Sequence, residues 1–202
     1  MRIQRLSEGL LSMVFTLLHY VHAYIIYKVL KKRLDLTGLI IGSFLPDLEI
    51  PVIILLGFHY PFDRLFLHSF LGCLMLSWLI GFLAYPVYSK VVRRILNVKL
   101  GKISTFKYAL SVEVSALIHV LIDSMHHEYN PLLWPITAEN VDEFVLFGNW
   151  LKASIFMHTL FTLSMLAIIH EEIGLWKVAK NVFDISFLKT CIAKLLTLNS
   201  LK

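Results

Sequence analysis

The chain has 202 residues and a formal net charge of +5, and 57% of its residues are hydrophobic while only 16% are charged. Soluble domains lie near about 45–50% apolar and about 25% charged residues, so this composition excludes an ordinary soluble enzyme. The two cysteines, Cys73 and Cys191, are too few for a disulfide framework or a CxxC metal pair.

Five apolar segments reach or approach the roughly 20 residues that cross a bilayer core. They cover residues 8–30, 36–57, 66–88, 106–126 and 151–170. The first follows a basic start and runs on to Lys31 without a cleavage site, so it is interpreted as a retained helix rather than a signal peptide. Pro46 and Pro51 interrupt the second. We therefore predict an all-α, multi-pass transmembrane bundle of about five helices.

The residues around these spans divide the chain further. Residues 127–150 are polar, turn-rich and aromatic, which indicates a loop. From Ile173 onward, lysines alternate with apolar residues, a pattern typical of an amphipathic helix at a membrane surface. The predicted division is a membrane-embedded helical metal-site domain over 1–172 and an amphipathic tail over 173–202.

Basic residues predict the orientation, because Lys and Arg prefer the cytoplasmic side of a membrane. If the five spans alternate, fifteen of the nineteen basic residues fall on one side, and only Arg2, Arg5, Arg64 and Lys152 fall on the other. The N-terminus and the loops after the second and fourth spans are then outside the cell membrane. The basic residues between the third and fourth spans face the cytoplasm.

Ionisable side chains are costly within apolar spans and mark functional sites by default. Here they occur in groups on four predicted helices. His19 and His22 lie in the first span, and Asp47 and Glu49 in the second. Arg64 and His68 precede or open the third, and the fourth carries His119, Asp123, His126 and His127.

The spacing in the fourth span is informative. His119 and Asp123 are four residues apart, and His126 returns within roughly 20° of His119 at 100° per residue, so the three form one polar stripe. Imidazole and carboxylate donors suit a divalent metal ion, with zinc preferred, or iron or manganese in octahedral geometry.

Each group also has a purely structural interpretation. His22, His158 and His170 are typical hydrogen-bonded core histidines, and the His119/Asp123 pair could be an interhelical hydrogen bond. Arg64 could anchor its loop at the lipid headgroups. The whole set favours a shared site, because independent packing roles do not explain so many buried charges.

The motifs also resemble a known family in their order. Leu18-His19, Pro46-Asp47-Leu48-Glu49, Arg64 followed by His68-Ser69, the His119–Asp123 pair and Trp134-Pro135 stand in the order found in the YdjM-like inner-membrane-associated metal-dependent hydrolases. This resemblance covers roughly residues 12–170 and favours His19 over His22 as a ligand. Glu49 stands where that family usually has Asp, and Asp63 where it usually has His. The family in turn is distantly similar to zinc-dependent phospholipase C and P1 nuclease.

The resemblance implies one or two divalent metal ions, with zinc expected. The expected ligands are His19, Asp47, His68, His119 and Asp123, with His126 or His127 as a further ligand. Glu49 or Asp47 would orient a water or act as general base, and Arg64 would bind a phosphate oxygen.

These assignments predict a membrane-bound metal-dependent hydrolase acting on a phosphoester such as a phospholipid, with the metal site toward the extracytoplasmic side. A membrane transporter or proton/metal-conducting protein is one alternative, and a non-enzymatic membrane adaptor is another. The expected partner is membrane lipid. No nucleic-acid partner is expected, since membrane topology explains the basic clusters.

Overall fold

The computed structural model describes residues 17–57, 64–98, 100 and 104–198, and all regular secondary structure in those ranges is helical. This confirms the predicted all-α class. A 3-10 turn, Leu17–His19, leads into the first helix. The helices are α1 (Tyr20–Val29), α2 (Leu36–Phe44), α3 (Glu49–Leu55), α4 (Phe70–Leu96), α5 (Thr105–Ser124), α6 (Trp150–Glu172), α7 (Leu175–Lys180) and α8 (Ile185–Thr197).

Three helices, α4, α5 and α6, are long and apolar enough to cross a membrane. The α2–α3 pair, bent by 40°, is a fourth candidate span within the described residues. These correspond to the second to fifth predicted spans. The first predicted span, 8–30, lies partly outside the described residues, and its described part is the 3-10 turn and α1.

The bend in the second span follows from its prolines. Asp35 caps α2 by accepting a hydrogen bond from the Gly38 backbone N–H at 2.8 Å. Pro46 begins the 3-10 segment Pro46–Leu48 that separates α2 from α3. Pro51 lies in the first turn of α3, where a missing N–H breaks no helical hydrogen bond. The irregular segment places Asp47 between the two helices.

Helix α4 differs from the predicted span 66–88 at both ends. It begins at Phe70, where the Ser69 side chain accepts from the Gly72 N–H, and it continues to Leu96. Arg93 and Arg94, which lie between the third and fourth predicted spans, form its last turn. Hydropathy marks where the apolar stretch ends, and a helix can continue into water beyond that point.

Helix α2 packs closely on α5 through small residues. A Cβ at Gly38 would lie 2.8 Å from Ser111 Cβ, and one at Gly42 would lie 2.9 Å from Ser115 Cβ and overlap the Val112 carbonyl oxygen. Gly38 and Gly42 are four residues apart, the small-xxx-small spacing that lets membrane helices approach closely. This contact brings the end of α2 against the middle of α5.

We expect Gly42→Ala to destabilise the bundle by about 1–3 kcal/mol, because the added methyl meets backbone that cannot rotate away. Thermal unfolding of detergent-purified protein measures this loss. Ala substitution of Leu55, which is 87% exposed at the end of α3, is the control and should leave the midpoint nearly unchanged. Equal midpoints for Gly42→Ala and wild type would contradict the close contact.

Helices α4 and α5 run antiparallel. Tyr108, near the start of α5, donates to the Gly81 carbonyl at 2.6 Å, whereas Cys73, near the start of α4, packs with Ala116 and Val120. The start of α4 and the end of α5 therefore share one end of the bundle. Arg93 and Arg94 lie at the other end.

The C-terminal tail packs partly on the bundle. Tyr20 of α1 donates to the Leu195 carbonyl of α8 at 2.7 Å, and Ala193 is buried against Val92 and Val98. Lys28 pairs with Glu172 at 2.7 Å, which joins α1 to the end of α6. The proposed contact of the tail with the membrane surface stays a prediction.

Candidate metal centre

Four predicted ligands meet at the end of the bundle where α5 ends and α4 begins. Asp47, His68, His119 and Asp123 each offer one ligand atom, and these atoms all lie within 4.8 Å of one another. His68, His119 and Asp123 are fully buried. The side chain of Asp47 is 11% exposed, so the cluster has one edge close to solvent.

The spacing of the four atoms suits a cation between them. His119 Nε2 lies 3.5 Å from both Asp47 Oδ1 and Asp123 Oδ2. His68 Nε2 lies 3.6 Å from the same Asp47 oxygen and 3.7 Å from the same Asp123 oxygen. Tetrahedral ligands about 2.0–2.1 Å from zinc are separated by about 3.3–3.4 Å, so only a small contraction would be needed.

Hydrogen bonds on the far side of each ring fix which nitrogen faces the cluster. His119 Nδ1 lies 2.8 Å from the Ser43 carbonyl oxygen and must carry the proton, because a carbonyl can only accept. His68 Nδ1 donates to Glu49 Oε2 at 3.1 Å. Metal-bound histidines are usually oriented in this way by a carbonyl or carboxylate.

The atoms that face inward have no hydrogen-bond partner among the described residues. They are His68 Nε2, His119 Nε2 and both Asp123 oxygens, and all are buried. Bare imidazole lone pairs facing carboxylate oxygens repel one another unless a positive charge lies between them. The donor set therefore fits a divalent cation, and the cluster is a possible His/Asp metal-binding site.

Glu49 is engaged by four donors. Its carboxylate accepts from the backbone N–H groups of Phe66, Leu67 and His68, the closest at 2.5 Å, and from the His68 ring. It therefore fixes the segment that carries His68. The expected role of Glu49 as general base stays a prediction, but its oxygens are already occupied.

His19 faces the other carboxylate oxygen of Asp123 from the one that faces His68 and His119. Its Nε2 is 3.6 Å from Asp123 Oδ1, and its ring stacks on His119 with centroids 3.9 Å apart. His22, in contrast, bonds to the Ser115 hydroxyl at 3.1 Å, as expected for a core histidine. The two neighbours on α1 thus have different surroundings.

A second group consists of Asp123, His126 and His127, which also bring ligand atoms within 4.8 Å of one another. Burial lowers the pKa of both histidines, and the Arg64 guanidinium lowers that of His127 further. Arg64 is itself buried: its Nε lies 3.6 Å from Asp123 Oδ2, and its Nη2 donates to His127 Nε2 at 3.3 Å.

Several other ionisable residues do not belong to the four-residue cluster. Asp63 lies outside the described residues. His158 bonds to Ser154 at 3.1 Å, and its ring meets that of His126 edge-on. His170, predicted to be a core histidine, is exposed near the end of α6, so that prediction was wrong. Sequence reasoning missed Glu113 of α5, which accepts from the Ser77 hydroxyl of α4; a lone carboxylate in an apolar segment was the only signal for it.

Comparison with known proteins identifies a family. The family model described as "YdjM inner membrane protein" matches residues 12–196. Neither a curated protein nor a solved structure matches the chain, so the comparisons lend no support to the likeness to phospholipase C and P1 nuclease.

Proposed function

Because the chain belongs to the YdjM inner membrane protein family, we propose that it is a membrane-bound, metal-dependent hydrolase of phosphoesters such as phospholipids. One observation carries the proposal. Two buried histidines and two carboxylates from three separate segments bring one ligand atom each to a common centre, and the atoms of His68, His119 and Asp123 there have no hydrogen-bond partner among the described residues. Membership of a family alone would not support an activity, so the proposed activity depends on this site.

The rigid support of the ligands favours a resident ion over a transported one. Glu49 and the Ser43 carbonyl hold the two histidine rings, and such supporting contacts tune and tighten a metal site. A transporter must release its ion, which is easier from loosely held ligands. A resident ion is what a hydrolase needs.

A divalent cation held there would lower the pKa of a bound water to near 7 and polarise a phosphoryl oxygen. Asp47 is the carboxylate proposed to take the proton from water through Oδ2, because Oδ1 is the oxygen that faces His68 and His119. Asp123 is nearly inaccessible, with 1% of its side chain exposed, and Glu49 is engaged by four donors. The water oxygen would bond to phosphorus as the ester P–O bond breaks, and the leaving alcohol would take the proton that Asp47 removed from the water.

Arg64 is proposed to stabilise the charge that develops on the phosphoryl oxygens. A guanidinium keeps its positive charge in proteins and offers several N–H donors to phosphate. Its Nε lies 3.6 Å from Asp123 Oδ2, so the charge stands beside the cluster. It would therefore act on the same phosphate that the cation polarises.

The proposed substrate follows from where the cluster lies. It is at one end of the membrane-crossing helices, the level at which lipid phosphates are found, and opposite the end that carries Arg93 and Arg94. Since basic residues prefer the cytoplasm, we place the cluster toward the extracytoplasmic side of the cell membrane. Zinc is the proposed metal, because two imidazoles and two carboxylates suit it.

Metal content and hydrolysis test the proposal together. Detergent-purified wild type should contain about one equivalent of divalent metal by elemental analysis and should cleave phospholipid in mixed micelles. Asp47→Ala and His119→Ala should lose both, and His170→Ala, which removes an exposed histidine of α6, should lose neither. Metal-free wild type would contradict the site. Metal uptake by proteoliposomes without hydrolysis would favour a transporter.

A further inference from the structure

We propose that Arg64 takes the place of a second metal ion, so that the centre holds one cation and the guanidinium supplies the other positive charge. Removing that guanidinium should open a latent second metal site formed by Asp123, His126 and His127. The inference rests on the proposed metal-dependent function and specifies how many ions the site admits.

The position of the guanidinium carries the inference. Arg64 Nε lies 3.6 Å from Asp123 Oδ2, the oxygen that also faces His68 and His119. Arg64 Nη2 donates to His127 Nε2 at 3.3 Å. The Arg64 guanidinium thus contacts both an Asp123 oxygen and a His127 nitrogen, and a second ion would need both atoms as ligands.

Charge and geometry both act against a second ion while Arg64 is present. Arginine stays protonated in proteins, and its side chain here is only 8% exposed, so water screens its charge weakly. A divalent ion beside it would meet a fixed positive charge at close range. It would also have to displace the N–H group that now occupies the His127 lone pair.

The remaining donors would form a usable site once the guanidinium is removed. His126 Nδ1 donates to the Ile122 carbonyl at 2.8 Å, which leaves Nε2 of that ring as the unprotonated nitrogen. His127 Nε2 lies 3.6 Å from Asp123 Oδ2. Asp123 would then bridge two ions, as carboxylates do in two-metal centres with ions about 3.5–4 Å apart.

Metal stoichiometry of the full-length protein tests the inference without any measurement of hydrolysis. Arg64→Ala and Arg64→Gln, saturated with Mn²⁺ and freed of excess ion, should each bind two ions, whereas wild type should bind one. Gln keeps much of the volume of arginine and serves if the Ala variant does not fold. Electron paramagnetic resonance should show magnetic coupling between the two Mn²⁺ ions in the variants only.

The double variant Arg64→Gln/His127→Ala tests the location of the second ion. It should bind one Mn²⁺ ion, as wild type does. Two ions in wild type, one ion in both single variants, or two ions in the double variant would each overturn the inference. Wild type that binds none would instead overturn the proposed function on which it rests.

Discussion

Asp123→Asn is expected to weaken metal binding by about 10²- to 10³-fold while leaving the bundle folded. Four-ligand zinc sites supply roughly 10–16 kcal/mol, so one ligand accounts for about 2.5–4 kcal/mol. The loss of binding free energy for Asp123→Asn should lie at the upper end of this range, because Asp123 Oδ2 faces His68 and His119 and Oδ1 faces His19. Competition titration with a chelating dye measures the affinity.

The same acid-to-amide change on the same helix provides the control. Glu113→Gln keeps a hydrogen bond to Ser77 and lies ten residues before Asp123, away from the cluster. Its metal affinity should match that of wild type. Equal affinities for all three proteins would show that Asp123 is not a ligand, and equal losses in both variants would point to a general change in helix α5.

Glu49→Gln is expected to weaken metal binding by about 10- to 100-fold although Glu49 need not touch the ion. Supporting residues of metal-bound histidines typically have effects of this size. The new NH₂ group would face either the Phe66 N–H or the Leu67 N–H and the His68 ring, so one side of the segment that carries His68 would lose its acceptor. The His68 ring would lose its orientation.

If Glu49 positions His68, the effect of Glu49→Gln on metal affinity should depend on His68. If Glu49 is only structural, it should not. If Glu49 acts through His68, His68→Ala and the double variant Glu49→Gln/His68→Ala should have the same metal affinity, because the carboxylate has no ring left to orient. Additive losses in the double variant would contradict this role. Glu171→Gln, which alters an exposed carboxylate at the end of α6, should change neither affinity nor the melting temperature of the metal-free protein.

Helical periodicity was enough to predict part of the cluster. His119 and Asp123 are four residues apart, so any helix there places them on one face. In the structure, His119 Nε2 lies 3.5 Å from Asp123 Oδ2. Asp47 and His68 could be recognised as costly residues in apolar segments, but no periodicity relates them to α5. Their convergence depends on the 40° bend between α2 and α3 and on the close contact at Gly42.

Backbone groups have no sequence signature, and that explains what was missed. The Ser43 carbonyl that orients His119 could not be identified from the residue type. Glu49 was predicted to be a candidate catalytic residue, but its three backbone donors depend on how residues 66–68 turn before α4. The position of Arg64 between Asp123 and His127 likewise requires the fold.

The contact between α2 and α5 has a consequence for biosynthesis. These helices pack face to face, yet all of α4 is synthesised between them. Until the ribosome has passed Ser124, Asp47 and His68 lack their α5 partners. A cation can therefore meet all four ligand atoms of the cluster only after α5 has been synthesised and packed on α2.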